Sequence, residues 1–297
     1  MKKYQLLLVP DWFGSTHDTG VTEGPEALAS FILSTNIRDV VTDELQIVEI
    51  PKHDLSHTKG IYASLQYLPE IKHMCVDAQE RIMKIIDSNH IPIILMGNDS
   101  SLMGALSGIS KKKDNNYGLI YFDAHGDLNT PDVSLSGRIY GMPLAHLLGF
   151  GDKRLTELNG QKPAVKSENV VLIGQRSLDS GEEVFIQDHE LLLYTSDEAN
   201  RQSSNEIKKV IDEKFSKYKI TELVVHIDLD VLDPLESHGV SMHEPSGLHV
   251  DNFFMLLKEI KKMNQNIIGL SISEYNPRMD KSNKTRDIVL SILKIFI

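Results

Sequence analysis

The chain has 297 residues and a formal net charge of -11, with its basic residues scattered, which argues against nucleic acid and anionic membrane surfaces as partners. Its single cysteine, Cys75, excludes a disulfide framework and a cysteine-based zinc site. No apolar run approaches a bilayer span, and the stretch after Met1-Lys-Lys is too short for a signal peptide, so the N-terminus reads as the first strand of a cytoplasmic protein.

Leu6 to Val9 reads as that strand. The loop from Asp11 to Gly24 is long for a strand-to-helix connection and is expected to lie over something, after which Pro25 suits a first helical turn. Leu45 to Ile50 predicts a second strand, and Gly60 to Asn89 a largely helical stretch broken near Pro69. His53, His57 and His73 share no ligand spacing and read as solvated or packing histidines. Pro92 to Met96 is a short apolar run opening into Gly97-Asn98-Asp99-Ser100-Ser101. There Gly97 suits a tight turn, and Asp99 either caps the helix from Leu102 to Ile109 or ligates a metal.

The most informative stretch is Asp123-Ala-His125-Gly-Asp127, at the end of the apolar run from Tyr117 to Phe122. Alternation along a strand sends Asp123, His125 and Asp127 to roughly one side as the strand opens into a loop. A second cluster, His226-Ile-Asp228-Leu-Asp230 with Asp233-Pro234 behind it, closes the run Leu223-Val-Val225 and repeats that geometry. A lone aspartate at a strand end usually caps or turns the chain. Asp123, His125, Asp127, Asp228 and Asp230 at alternate spacing supply donors for a pair of divalent ions.

Between and beyond these clusters lie the candidate substrate contacts. Asn129, Ser136 and Arg138 offer donors to a carboxylate, although Arg138 could equally pair with the acidic site or face water. A helix is expected from Met142 to Leu148. The strand Val170 to Ile173 runs into Gly174-Gln-Arg-Ser-Leu-Asp179-Ser-Gly-Glu182, where Asp179 and Glu182 can accept from a cationic ligand or Asp179 can cap a helix. Ser196 to Gln202 reads as a polar connector, and Asn205 to Phe215 as a helix. His238 and His243 sit in a second long loop and are candidates to line the site. A helix from Phe253 to Ile260, a strand from Ile267 to Ile272 with the exit Ser273-Glu274-Tyr-Asn-Pro277, and a C-terminal helix complete the chain.

This alternation predicts an α/β fold: a three-layer α-β-α arrangement around a mostly parallel central sheet, its site at the carboxyl ends of the strands. Gly-x-Gly-x-x-Gly and P-loop motifs are absent, which weighs against dinucleotide and phosphotransfer chemistry. Two ions sharing carboxylates lower the pKa of a bridging water and hold it as hydroxide beside an electrophilic carbon, while carboxylates at the rim fix a cation. Hard oxygen donors with a histidine suit manganese. The expected reaction is hydrolysis of a C-N bond at a guanidinium or amidine carbon.

With these motifs the chain resembles the ureohydrolase family of arginases, agmatinases and formimidoylglutamases along essentially its whole length. That family is marked by Asp-Ala-His-x-Asp, Ser-x-Asp-x-Asp-x-x-Asp-Pro, Gly-Gly-Asp-His-Ser and Glu-x-Asn-Pro. Here the first is Asp123-Ala-His-Gly-Asp127, the second His226-Ile-Asp228-Leu-Asp230-Val-Leu-Asp233-Pro234, and the last Glu274-Tyr-Asn-Pro277. The resemblance implies one arginase-like metallohydrolase domain over 1–297, a small-molecule substrate and a homo-oligomer. It also implies two manganese ions on Asp123, His125, Asp127, Asp228 and Asp230, bridged by Asp123 and Asp228. Glu274 would accept the guanidinium, Asn129 and Ser136 would face the amino acid end, and Asp179 would meet the amino group. Asp127, Tyr140 and Glu274 are the candidate catalytic side chains.

The departures bear on substrate and turnover. The ligand histidine of Gly-Gly-Asp-His-Ser falls on Asp99, which would place five carboxylates around two ions and disfavour the deprotonated water. The second motif departs at its first residue, His226. The active-site histidine of the arginase loop Ser-Gly-Asn-x-His-Gly falls on Tyr140, and a phenol is a poor proton shuttle at neutral pH. The asparagine of that loop becomes Arg138, and the Gly-Thr-Pro segment becomes Ser241-Met-His243. Three readings stay open: a manganese hydrolase of a guanidino or formimidoyl compound, a relative that keeps the metal site and works by binding, and a metallohydrolase of an acyl C-N bond.

Overall fold

The computed structural model describes residues 4–13, 20–52, 65–113, 115–158, 160 and 163–297. His53, His57 and most of the loop expected to follow Trp12 lie outside the described residues.

In chain order the elements are β1 Tyr4–Val9, α1 Gly24–Leu33, β2 Gln46–Ile47, α2 Leu68–Asp87, β3 Ile91–Met96, α3 Leu102–Lys113 and β4 Gly118–Phe122. Then come α4 Pro143–Leu147, α5 Lys153–Thr156, β5 Val170–Ile173, α6 Ser180–Asp188, β6 Leu192–Tyr194 and α7 Ser196–Arg201. The chain closes with α8 Ser204–Lys217, β7 Glu222–Asp228, α9 Val250–Lys261, β8 Asn266–Ser273 and α10 Lys284–Phe296.

Among the described residues the strands form one eight-stranded sheet in the order β2-β1-β3-β8-β7-β4-β5-β6, with every neighbouring pair parallel. Strand alternation divides its side chains between two apolar layers. Leu6, Leu8, Ile120, Phe122 and Val225 pack with α1, α8, α9 and α10, whereas Leu7, Val9, Leu119, Tyr121 and Val224 pack with α2, α3 and α4. A parallel sheet covered in this way has strands that are apolar on both faces, which is why the strands read as continuous apolar runs. The expected three-layer architecture is therefore observed.

Three expectations need correction, and one strand had no counterpart among them. Pro69 opens α2 instead of breaking a longer helix, because its missing N-H costs nothing in the first turn. The second strand shrinks to Gln46–Ile47 at the sheet edge, paired only with Leu7 and Leu8. The polar stretch read as a connector forms α7, where Glu198 accepts the Thr195 amide at 2.9 Å and Thr195 Oγ1 accepts the Glu198 amide at 3.3 Å. β6 was not anticipated, being too short to show alternation.

The N-terminal apolar stretch is fully buried β1, between β2 and β3. No helix among the described residues is long and apolar enough to cross a membrane.

Candidate metal centre

The neighbours β3, β8, β7 and β4 all point their carboxyl ends to one edge of the sheet. That order brings together Asp99 after β3, Asp123 to Asp127 after β4, Asp228 and Asp230 at the end of β7, and Glu274 after β8. The two aspartate motifs fold alike locally: Asp123 Oδ1 accepts the His125 amide at 2.6 Å and Asp228 Oδ1 the Asp230 amide at 2.7 Å. Asp230 Oδ1 also accepts the Ala124 amide at 3.1 Å, which ties the two loops together. Asp127 and Glu274 hold left-handed backbone angles, with φ of 54° and 63°, a strain of about 1 kcal/mol or more each that clusters at functional sites. Asp127 Oδ2 accepts the Tyr121 hydroxyl at 2.5 Å, and the Glu274 amide donates to Gly97 O at 3.0 Å.

The choice between capping and ligation at Asp99 falls against capping, because Asn98 takes the cap. Its Oδ1 accepts the Ser100 amide at 2.9 Å and its Nδ2 donates to Phe13 O at 2.8 Å. Gly97 is required by a close approach and not by a turn: a Cβ there would stand 1.9 Å from the Asp11 carbonyl oxygen.

Asp99, Asp123 and His226 each bring one donor atom within 4.8 Å of the others, and Asp123, His125 and Asp230 do the same. The two triads share Asp123. Asp99 Oδ1, Asp123 Oδ2 and His226 Nε2 are buried and lack hydrogen-bond partners among the described residues. Leaving such atoms bare costs about 1–3 kcal/mol each, so three converging in one place fit cations that would complete them. The electrostatics agree. Burial, with the charge of Asp230, pushes the Asp123 carboxyl up to about 8, and burial with neighbouring carboxylates lifts Asp127, Asp228 and Glu274 well above the carboxylate range. Asp11, after β1, is likewise pushed by burial to about 8. Asp230 opposes this trend: burial pushes it up, but His125 and the Ala124 amide hold it low. Burial works against the proton on His125, yet Asp230 and Asp123 raise it. Without cations the cluster meets its deficit of positive charge with protons, and the donor set fits a pair of divalent ions.

Beside the triads is a cavity of about 150 Å³ walled by Asn129, Ser136, Arg138, Tyr140 and Asp179, with His125 and Asp127 at its metal end. Asn129 Nδ2 donates to Asp179 Oδ2 at 2.9 Å. Glu182 also reaches this wall, but its two oxygens accept the Leu128 and Asp179 amides at 3.0 and 2.9 Å. Its observed work is to close the capping box of α6 and hold the Asp127 loop. His238 and His243 are exposed and interact with each other, His243 Nε2 lying 3.2 Å from His238 O. It is Glu244 that turns inward, its Oε1 lying 3.6 Å from His125 Nε2.

Arg176 clamps the loops that carry the centre. Its guanidinium donates to the carbonyls of Asp230 and Glu244 at 2.7 Å, Pro245 at 3.0 Å, and Gly174 and Val231 at 3.2 Å. A lysine cannot reproduce that planar fork. Arg176→Lys is expected to cost about 3 kcal/mol and lower the melting temperature by roughly 6 °C in thermal unfolding; a shift within 1 °C would refute the clamp.

Three of these residues were missed at the level of sequence: Arg176, Glu244 and His226. Only His226 carried a local signal, since His226-x-Asp228-x-Asp230 has the same alternation as Asp123-x-His125-x-Asp127.

Comparison with known proteins agrees with the geometry. The model of the Arginase family matches residues 2–296. An arginase of Staphylococcus aureus (strain MRSA252) is 33% identical over 298 residues, covering 99% of this chain and 97% of that protein. The solved arginase of Bacillus caldovelox superposes with a TM-score of 0.91 at 30% identity, covering 100% of this chain and 98% of that one. The arginase of Entamoeba histolytica, solved in complex with L-ornithine, gives 0.86 at 28% identity, covering 100% and 99%. A strand order that gathers both aspartate motifs at one sheet edge, and a likeness that runs from end to end, place this chain in the arginase family.

Proposed function

We propose that the chain is a manganese-dependent hydrolase of a non-peptide C-N bond in a guanidino or formimidoyl compound. The observation that carries this reading is the pair of triads sharing Asp123 beside a polar cavity that His125 also lines. The single sheet that presents every one of these residues supports reading the chain as one domain.

Asp99, Asp123, His125, Asp127, Asp228 and Asp230 would hold the ions. When bound, two such ions supply Lewis acidity and activate water at neutral pH. The protein's own part is placement and charge. Glu274, buried against the carboxylates, accepts the substrate's cationic carbon-nitrogen head; its strained backbone holds the carboxylate at that spot. Asn129, Ser136 and Arg138 meet the opposite, carboxylate-bearing end, and Asp179, held by Asn129, accepts from an amino group. The L-ornithine bound by the Entamoeba histolytica arginase has both such groups. Tyr121 keeps a proton directed at Asp127, fixing which oxygen of that carboxylate is free.

Tyr140 on the cavity wall favours one other reading, a family member that binds its ligand without turnover, because it stands where the arginase loop carries its histidine. The deciding test is release of urea or ammonia by the manganese-loaded chain from arginine, agmatine, guanidinobutyrate, guanidinopropionate and formimidoylglutamate, with simple amides alongside. Metal-dependent product from one of the first five is expected. Product from amides alone would shift the reaction to acyl C-N bonds, and tight binding with no product would support the second reading.

A further inference from the structure

Two of the chain's departures from its family lie far apart in sequence and face each other in the fold: His226 Nε2 is 3.4 Å from Asp99 Oδ1. His226 sits on β7 in register with Tyr121 of β4 on one side and Ser271 of β8 on the other. Its ring packs on Tyr121 with centroids 4.4 Å apart, and its Nδ1 lies 2.9 Å from Ser271 Oγ. Both neighbours hold the ring so that Nε2 is the atom directed at Asp99 and Asp123.

A simple ion pair explains this less well. The histidine is 0% exposed, and a pair built to neutralise Asp99 would close to hydrogen-bonding geometry, yet both facing atoms lack hydrogen-bond partners among the described residues. Two ligands of one ion, each bonded at about 2.1 Å and near a right angle, stand roughly 3 Å apart, close to the separation seen here. The hydrogen bond of Nδ1 to Ser271 is the kind of outer contact that orients a ligating imidazole.

We propose that His226 supplies the imidazole that other family members take from the position of Asp99, so that one ion is held by Asp99, Asp123 and His226. This rests on the two-ion reading above and deepens it. The centre keeps two histidines, one relocated from the end of β3 to β7, on the far side of β8, and gains a carboxylate in exchange. Restoring histidine at position 99 alone would therefore crowd two imidazoles into one place, and only the paired exchange would rebuild the family pattern.

The test counts Mn2+ by equilibrium dialysis and atomic absorption in the full-length chain, in His226→Ser, and in Asp99→His combined with His226→Ser. Low-temperature electron paramagnetic resonance separates a coupled ion pair from an isolated ion. The expected result is two ions in the parent, weakening of one of them on the order of 100-fold in His226→Ser with an isolated-ion signal, and recovery of the coupled pair in the double variant. Should His226→Ser fail to fold, His226→Gln serves the same comparison. A His226 variant that binds two ions with parental affinity would overturn the assignment, as would a double variant no better than His226→Ser. A parent that binds two ions but releases no urea or ammonia removes the hydrolase reading and leaves the ligand assignment standing.

Discussion

Asp123→Asn is expected to remove tight Mn2+ binding at both positions at once, because Asp123 is the residue common to the two triads. Asparagine keeps the shape and the contact to the His125 amide but loses the charge. The loss should exceed about 100-fold at each position, since changes one shell further out already cost 10–100-fold. The same substitution should stabilise the metal-free fold, because it removes one of several buried carboxyl groups whose charges raise one another. The two measurements thus move in opposite directions: isothermal titration with Mn2+ shows binding lost, and unfolding in chelator shows a higher melting temperature. Retention of two ions in Asp123→Asn would contradict a shared ligand. A lower melting temperature in chelator would contradict the crowding argument.

Chelation of the parent should expose the same electrostatics as a pH dependence. Asp123 is raised from 3.8 to about 8, and Asp127, Asp228 and Glu274 are raised as well, so between about pH 4 and 8 the folded state binds more protons than the unfolded one. Stability then falls as pH rises through that window. His125, also raised, contributes in the same direction, whereas Asp230, held low, opposes it only in the more acidic range. Divalent ions take over from the protons and reverse the trend. Manganese at 100 times its dissociation constant adds about 2.7 kcal/mol per site, on the order of 10 °C for two sites. At one fixed Mn2+ concentration the gain should grow from pH 6 to pH 8 as the ions compete with fewer protons. Differential scanning calorimetry in chelator and in Mn2+ at several pH values checks both slopes. A metal-free melting temperature that climbs steadily from pH 6 to pH 8 would refute the cluster as described.

Much of the fold was legible because its signals are local. The apolar runs ending at Val9, Met96, Phe122, Ile173 and Ile272 are all observed strands, and polar clusters follow them. The sequence is silent where a local signal is weak, as in three-residue β6, and leaves two readings open where one residue can serve two ends. Asp99 could cap or ligate until Asn98 was seen to cap. Glu182 can face a substrate or close a capping box, and the structure shows its oxygens on two backbone amides. His243 and Glu244 are adjacent, and which of them turns inward depends on how Arg176 gathers the carbonyls of Glu244 and Pro245.

The sequence by itself determined the layered α/β class, the strand ends that carry the chemistry and the identity of most donors, because alternation and burial along a strand are written in neighbouring residues. Only the tertiary structure decided which donors share an ion position. The order β3-β8-β7-β4 sets Asp99 against His226 across 127 positions of chain, the difference between their numbers. No spacing within either motif encodes that meeting, since it depends on which strands lie side by side and how far each reaches in register.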